Sequence, residues 1–148
     1  MALSLELAPQ IAKLPVRLSP EEIKQMTIAF ACVLFMGLLP YVAAGIAKKG
    51  FENYDNSQPR AWLAQQSGFR ARANAAQANL FESSPFFFVA VIIASLMHSP
   101  QARLDLLALG FVVSRIAYLI CYVANWPTAR SIVWLCGITC VVTIFFQI

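Results

Sequence analysis

Glu82 and Arg115 each stand inside a stretch that otherwise reads as a membrane-spanning helix, and Arg72 and Asn79 add further polar groups to the same setting. An ionisable side chain at the centre of a spanning helix costs about 2.5–3.5 kcal/mol on insertion scales. Such a residue faces a partner helix or a water-filled cavity, so it points first to a site and second to a scaffold. The expected chemistry is binding of something polar within or near the bilayer. Arg115, Tyr118 and Tyr122 follow one another at spacings of three and four, which stacks them along one helix face within about 60°. Glu82 is the natural counter-charge for Arg115 or Arg72, because an unpaired charge in such surroundings is expensive. A second reading stands beside this one, in which Glu82 and its arginines only fasten helices together.

The helix carrying Glu82 changes character along its length. Arg70, Arg72, Asn74, Gln77 and Asn79 lead into Glu82, and only from Pro85-Phe86-Phe87-Phe88 onward is the segment purely apolar. On a helical wheel Arg72, Asn79 and Glu82 share a sector about 80° wide, and Arg70, Asn74 and Gln77 share another roughly opposite. The intervening alanines let neighbouring helices approach closely. Two polar faces on one membrane helix need two polar neighbours, which a homo-oligomer with this helix on its symmetry axis supplies.

The elements that must position these residues are four apolar stretches, at about 26–47, 68–97, 102–124 and 128–148. Each is near the roughly 20 residues needed to cross a hydrocarbon core of about 30 Å. None alternates with the period of two expected of a barrel strand. The chain has 148 residues, 59% hydrophobic and 12% charged, and its mean hydropathy is +0.67. Soluble domains carry about 25% charged residues. The expectation is an all-α membrane protein, a four-transmembrane-helix bundle over residues 26–148, preceded by an interfacial or mobile arm at 1–25. In that arm Leu3, Leu5, Leu7 and Ile11 are interrupted by Glu6, Pro9 and Lys13, which is no signal-peptide core.

Punctuation supports these limits. Ser19-Pro20-Glu21-Glu22 reads as an N-cap with proline in the first turn, and Ser99-Pro100 repeats the pattern before the third span. Pro40 removes one backbone donor inside the first span. Asn125-Trp126-Pro127 separates the last two spans, with Trp126 and Trp134 suited to interfacial anchoring. The polar run from Glu52 to Pro59 is the longest loop, either a lid or a solvated connection. His98 reads as an exposed interfacial residue. Cys32, Cys121, Cys136 and Cys140 all fall within spans and read as small packing residues, with neither a disulfide framework nor a metal set implied.

The net charge of +4 comes from 11 basic residues without a basic stripe interleaved with aromatics, so it is no sign of nucleic acid. Lys48, Lys49 and Arg60, with Arg70, Arg72 and Arg130 close by, outweigh Lys13, Arg17, Lys24 and Arg103 at the other end. This places the Lys48-side loop in the cytoplasm, and a compact chain of this kind suits a bacterial inner membrane.

The run Asn79-Leu-Phe-Glu82-Ser-Ser-Pro85-Phe86, preceded by Arg72 and Gln77, resembles the second-helix signature of the MAPEG proteins. These are membrane-associated proteins of eicosanoid and glutathione metabolism. Arg115-Ile-Ala-Tyr118-Leu-Ile-Cys-Tyr122, followed by Arg130-Ser131, resembles the third-helix signature and the arginine that opens the fourth helix. The resemblance covers about residues 26–148. It implies a homotrimer with glutathione bound between adjacent subunits. Arg72, Asn79, Glu82, Tyr118 and Tyr122 would hold the tripeptide, and Gln77 would reach in from a neighbour. Arg115 would support the site, and Arg130 would lie near the thiol with Ser131 beside it. Guanidinium forks suit the carboxylates of glutathione, its ammonium suits Glu82, and a nearby arginine or phenol favours the thiolate. One departure is Ala75, which stands where family enzymes often carry an arginine seven residues before the glutamate.

The leading expectation is therefore an integral membrane glutathione-dependent transferase or peroxidase. It would act on lipophilic electrophiles or lipid hydroperoxides that enter from the membrane lipids. The alternatives are a non-catalytic MAPEG-fold lipid-binding protein, which Ala75 favours, and an accessory subunit of a larger membrane complex.

Overall fold

The computed structural model describes residues 26–50 and 54–147. Among them all regular structure is helical: α1 (Ile28–Ala47), α2 (Pro59–Ala64), α3 (Gly68–Leu96), α4 (Gln101–Ala124) and α5 (Pro127–Phe145). All but α2 are long and apolar enough to cross a membrane. The chain is an all-α, four-span membrane protein. The arm at 1–25 and the Ser19-Pro20 start lie outside the described residues. The first helix that is described begins behind Thr27, whose hydroxyl accepts the Phe30 amide at 3.2 Å.

The four spans run up and down as a bundle. Buried positions on α1 recur at threes and fours: Ala29, Cys32, Met36, Leu39, Ala43 and Ala47. Those on α3 do likewise, at Ala73, Ala76, Leu80, Ser84, Phe87, Val91 and Ala94. Each set forms one stripe, and the two stripes face each other. The alanines in both bring the backbones together, as small residues do in bilayers. Phe87 stacks on Phe111 of α4 with centroids 4.3 Å apart, closing the core among α1, α3 and α4. Asp105 of α4 accepts the Ala29 amide at 2.8 Å, so one orphan donor of the α1 N-terminus is met by another helix.

Both tight connections use the same device. His98 (φ 54°) and Asn125 (φ 62°) take the left-handed conformation just past α3 and α4. The next amides then reach back five residues, Ser99 to the Ala94 carbonyl at 3.0 Å and Trp126 to the Cys121 carbonyl at 2.9 Å. Asparagine and histidine tolerate this conformation better than most residues. Ser99-Pro100 differs from expectation. Pro100 itself is the N-cap position of α4, and the Ser99 hydroxyl instead donates to the Gln147 carbonyl at 3.3 Å. That bond ties the α3–α4 turn to the end of α5.

At the opposite end, a short helix not expected from the sequence, α2, begins at Pro59, where the expected long loop ends. α2 buries Trp62, which meets Tyr54 edge to face at 5.2 Å. Lys48 donates to the Tyr54 hydroxyl, and Arg70 to the Lys49 carbonyl at 3.1 Å, so the connection is pinned to α1 and α3. α3, at 29 residues, is about 44 Å long and overshoots a hydrocarbon core of about 30 Å. The excess length accommodates its polar first turns.

Candidate functional site

At the loop-side end, α4 finishes and α5 begins across a two-residue turn, and an open cleft of about 480 Å³ lies between them. Tyr118 and Tyr122 of α4 form one wall, and Arg130, Ser131, Trp134 and Leu135 of α5 form the other. The helical spacing explains the set: four residues separate Tyr118 from Tyr122, Arg130 from Trp134 and Ser131 from Leu135, so each pair shares a face.

The aromatic and cationic groups form a continuous series. The Arg130 guanidinium lies 4.4 Å from the Tyr122 ring centroid. Tyr122 meets Tyr118 edge to face at 5.2 Å. The Arg115 guanidinium sits 5.1 Å from the Tyr118 ring and 5.2 Å from that of Phe111. Arg130 has no hydrogen-bond acceptor among the described residues, so its N–H donors remain available at the cleft. Ser131 donates to the Pro127 carbonyl at 3.2 Å and presents its oxygen as an acceptor.

Arg115 is fully buried. Its terminal nitrogen donates to the Trp134 carbonyl at 3.0 Å and to the Val133 carbonyl at 3.4 Å, and its Nε donates to Ser114 at 3.3 Å. Gly137 makes room for this. A methyl group there would collide with the Arg115 guanidinium and the Ser114 hydroxyl. Arg115 is thus a bolt between α4 and α5, and its other terminal nitrogen, Nη1, is buried without an acceptor.

Arg72 has a comparable role at the end of α4. Its Nε donates to the Tyr122 carbonyl at 3.0 Å, and its Nη2 to the Val123 carbonyl at 2.9 Å. Terminal helix carbonyls lack intrahelical donors and carry partial negative charge, which a guanidinium satisfies. The expected pairing of Glu82 with Arg72 or Arg115 is therefore corrected. Both arginines take backbone carbonyls, because those acceptors lie in the seam and the Glu82 carboxylate does not.

Glu82 is exposed on the outside of α3. Its one partner among the described residues is the Asn79 amide at 3.5 Å, a long contact. The Asn79 carbonyl oxygen is buried without a partner. Gln77 is half-buried and makes no side-chain hydrogen bond among the described residues. Ala75, exposed, lies in line with Asn79 and Glu82 at spacings of four and three. Within one chain, then, Tyr118, Tyr122, Arg130 and Ser131 share the cleft, with Arg115 beneath and Arg72 behind. Gln77, Asn79 and Glu82 do not line it.

Trp134 and Leu135 line the cleft although the sequence reading left them out of the site. Their positions one turn after Arg130 and Ser131 were the available signal. Ser114 and Gly137 carried none, since a packing notch has no sequence motif. The four thiols are free, and no group of His, Cys, Asp and Glu able to hold a metal ion occurs among the described residues.

The model of the MAPEG family matches residues 28–148 of this chain, which takes in all four spans and the cleft. No curated protein and no solved structure matches it.

Proposed function

The chain belongs to the MAPEG family, a family of membrane proteins of glutathione and eicosanoid metabolism, and on that premise we propose that it is a glutathione-dependent transferase or peroxidase. The substrates are lipophilic electrophiles or lipid hydroperoxides that reach the cleft from the bilayer. The observation that carries this reading is Arg130, a guanidinium stacked on Tyr122 at 4.4 Å with unclaimed donors at the mouth of a cleft.

The residues present suit glutathione. The ligand brings two carboxylates, one ammonium and a thiol. The chain offers the free donors of Arg130, the unspent Nη1 of Arg72 and the exposed carboxylate of Glu82. Arg130, with the Tyr122 phenol and Ser131 nearby, stabilises the thiolate, which is the nucleophilic form. Trp134 and Leu135 give the apolar co-substrate a surface beside it.

Glu82 and Asn79 lie outside the cleft of their own chain, and polar groups left facing lipid are costly. In this reading they face the cleft of an adjacent subunit, with Gln77 reaching across the same seam, in a homotrimer that binds glutathione at each boundary. The Lys48-side loop is cytoplasmic, with a bacterial inner membrane as the setting.

Calorimetric titration of the detergent-purified protein with glutathione tests the assignment. Saturable heat is expected, and none at millimolar ligand would overturn it. Glu82→Gln should weaken glutathione binding or assembly, with the stoichiometry read by native mass spectrometry. Ala75 favours a second reading, a lipid-binding protein of the same fold without catalysis. No guanidinium is on the outer stripe of α3 at that point, and bound lipid without glutathione heat would select this alternative.

A further inference from the structure

Arg115 is a cation with no anion to answer it among the described residues. Its side chain is wholly buried, its acceptors are a hydroxyl and two backbone carbonyls, and its Nη1 has none. The ionisable groups around it are the Tyr118 phenol on its own helix and the Cys140 thiol on α5. No carboxylate of the described residues is hydrogen-bonded to it. The carbonyls of Val133 and Trp134 belong to the interior of α5, so they solvate the charge without neutralising it.

We infer that Arg115 is a positioning residue of the cleft: bolted to α5, it fixes the Tyr118 ring and supplies buried positive charge that selects ligands anionic at the atom nearest Arg130. This inference rests on the glutathione reading and assigns a second cation to that site. The series Arg115, Tyr118, Tyr122, Arg130 is closed by contacts of 5.1, 5.2 and 4.4 Å. Those contacts put the two guanidiniums no more than about 15 Å apart, where a unit charge at an effective dielectric of about 20 changes the affinity for an anion about fivefold to tenfold. Exposed charges at that separation are screened by salt, but a fully buried one is screened far less. The carbonyl bonds also hold the guanidinium in register with the Tyr118 ring, which forms part of the cleft wall. Gly137 is what permits this placement.

The probes are two glutathione derivatives, the sulfonate, which is permanently anionic at sulfur, and the S-methyl thioether, which is neutral there. Their affinities are measured by calorimetry on the detergent-solubilised full chain, and the ratio of the two is the readout. Loosening of the fold weakens both ligands alike and leaves the ratio unmoved. The wild type should prefer the sulfonate, Arg115→Gln should lower that preference about fivefold, and Arg115→Lys should hold it within about twofold. Arg130→Gln should retain a residual preference, an arm that decides the matter if Arg115→Gln does not fold. Binding of both ligands with an unchanged ratio in Arg115→Gln, or complete loss of preference in Arg130→Gln, overturns the inference alone. Failure of the wild type to bind either derivative overturns the glutathione reading and this inference with it.

Discussion

The α4–α5 seam and the outer face of α3 both carry polar side chains within apolar helices, and they treat them in opposite ways. Arg115 in the seam, and Arg72 where the inner side of α3 meets the end of α4, each find backbone carbonyls within the same chain, at 3.0 Å and 2.9 Å for the shortest bonds. On α3, Glu82 is exposed and the Asn79 oxygen is buried without a partner. A guanidinium has five donors in a planar fork and can use any carbonyl within reach. A carboxylate accepts only, and along the interior of a helix the backbone donors are already spent, so only a first-turn amide such as that of Ala29, taken by Asp105, is open to it. A cation can therefore be satisfied by its own fold anywhere along a span, whereas a mid-span anion such as Glu82 needs another side chain, a ligand or another subunit.

The most severe break in this contrast is Arg130→Ala, which removes the cation that the seam leaves unspent. Turnover with glutathione and a lipophilic electrophile should fall about 10²–10³-fold while glutathione affinity changes only a few-fold. Equal losses in both would show that Arg130 binds rather than activates. Next comes Gly137→Ala, which fills the notch holding Arg115 and should destabilise the protein by about 1–3 kcal/mol. The check is the thermal midpoint in detergent, and an unshifted midpoint would mean that the guanidinium has another resting place.

Ala75→Arg sharpens the other side of the comparison by putting a guanidinium in line with Asn79 and Glu82. Glutathione affinity should rise about tenfold, the scale of one added charge-assisted contact. No change would separate the α3 stripe from the binding site.

The smallest effect is on the loop-side turn. Hydrogen bonds from the Ser57 hydroxyl and amide hold the Asp55 carboxyl below its ordinary value of 3.8. A carboxyl depressed in the folded state adds stability above its unfolded value and loses it as pH falls through the folded one. The protection factor of the Ser57 amide, 2.7 Å from Asp55 and taken against the intrinsic exchange rate at each pH, should hold above about pH 4 and fall as pH drops below it. Asp55→Asn should flatten that dependence.

Helix existence was legible because spanning segments announce themselves as long apolar runs, and the observed limits of α1, α3, α4 and α5 lie within three residues of those expected. α2 was missed because six residues, Pro59–Ala64, are too few to show a period. The cleft was half legible. Tyr118 with Tyr122 and Arg130 with Ser131 could be drawn from spacing and resemblance. Trp134 was read for its indole alone, as an anchor, and Leu135 was not singled out. The Glu82 pairing failed for a different reason: charge complementarity considers side chains only, and the acceptors that won are main-chain carbonyls, which every residue type carries alike.

Residue order alone settled the membrane setting, the number of spans and the presence of polar groups inside them, since transfer into hydrocarbon is governed largely by composition along a single helix. The identity of each polar partner was decided by packing. Whether Arg115 meets Glu82 or the Trp134 carbonyl depends on which atoms of another helix come within about 3 Å. A missing side chain at Gly137 and a left-handed Asn125 between α4 and α5 set that distance, and neither effect can be read from one helix taken by itself.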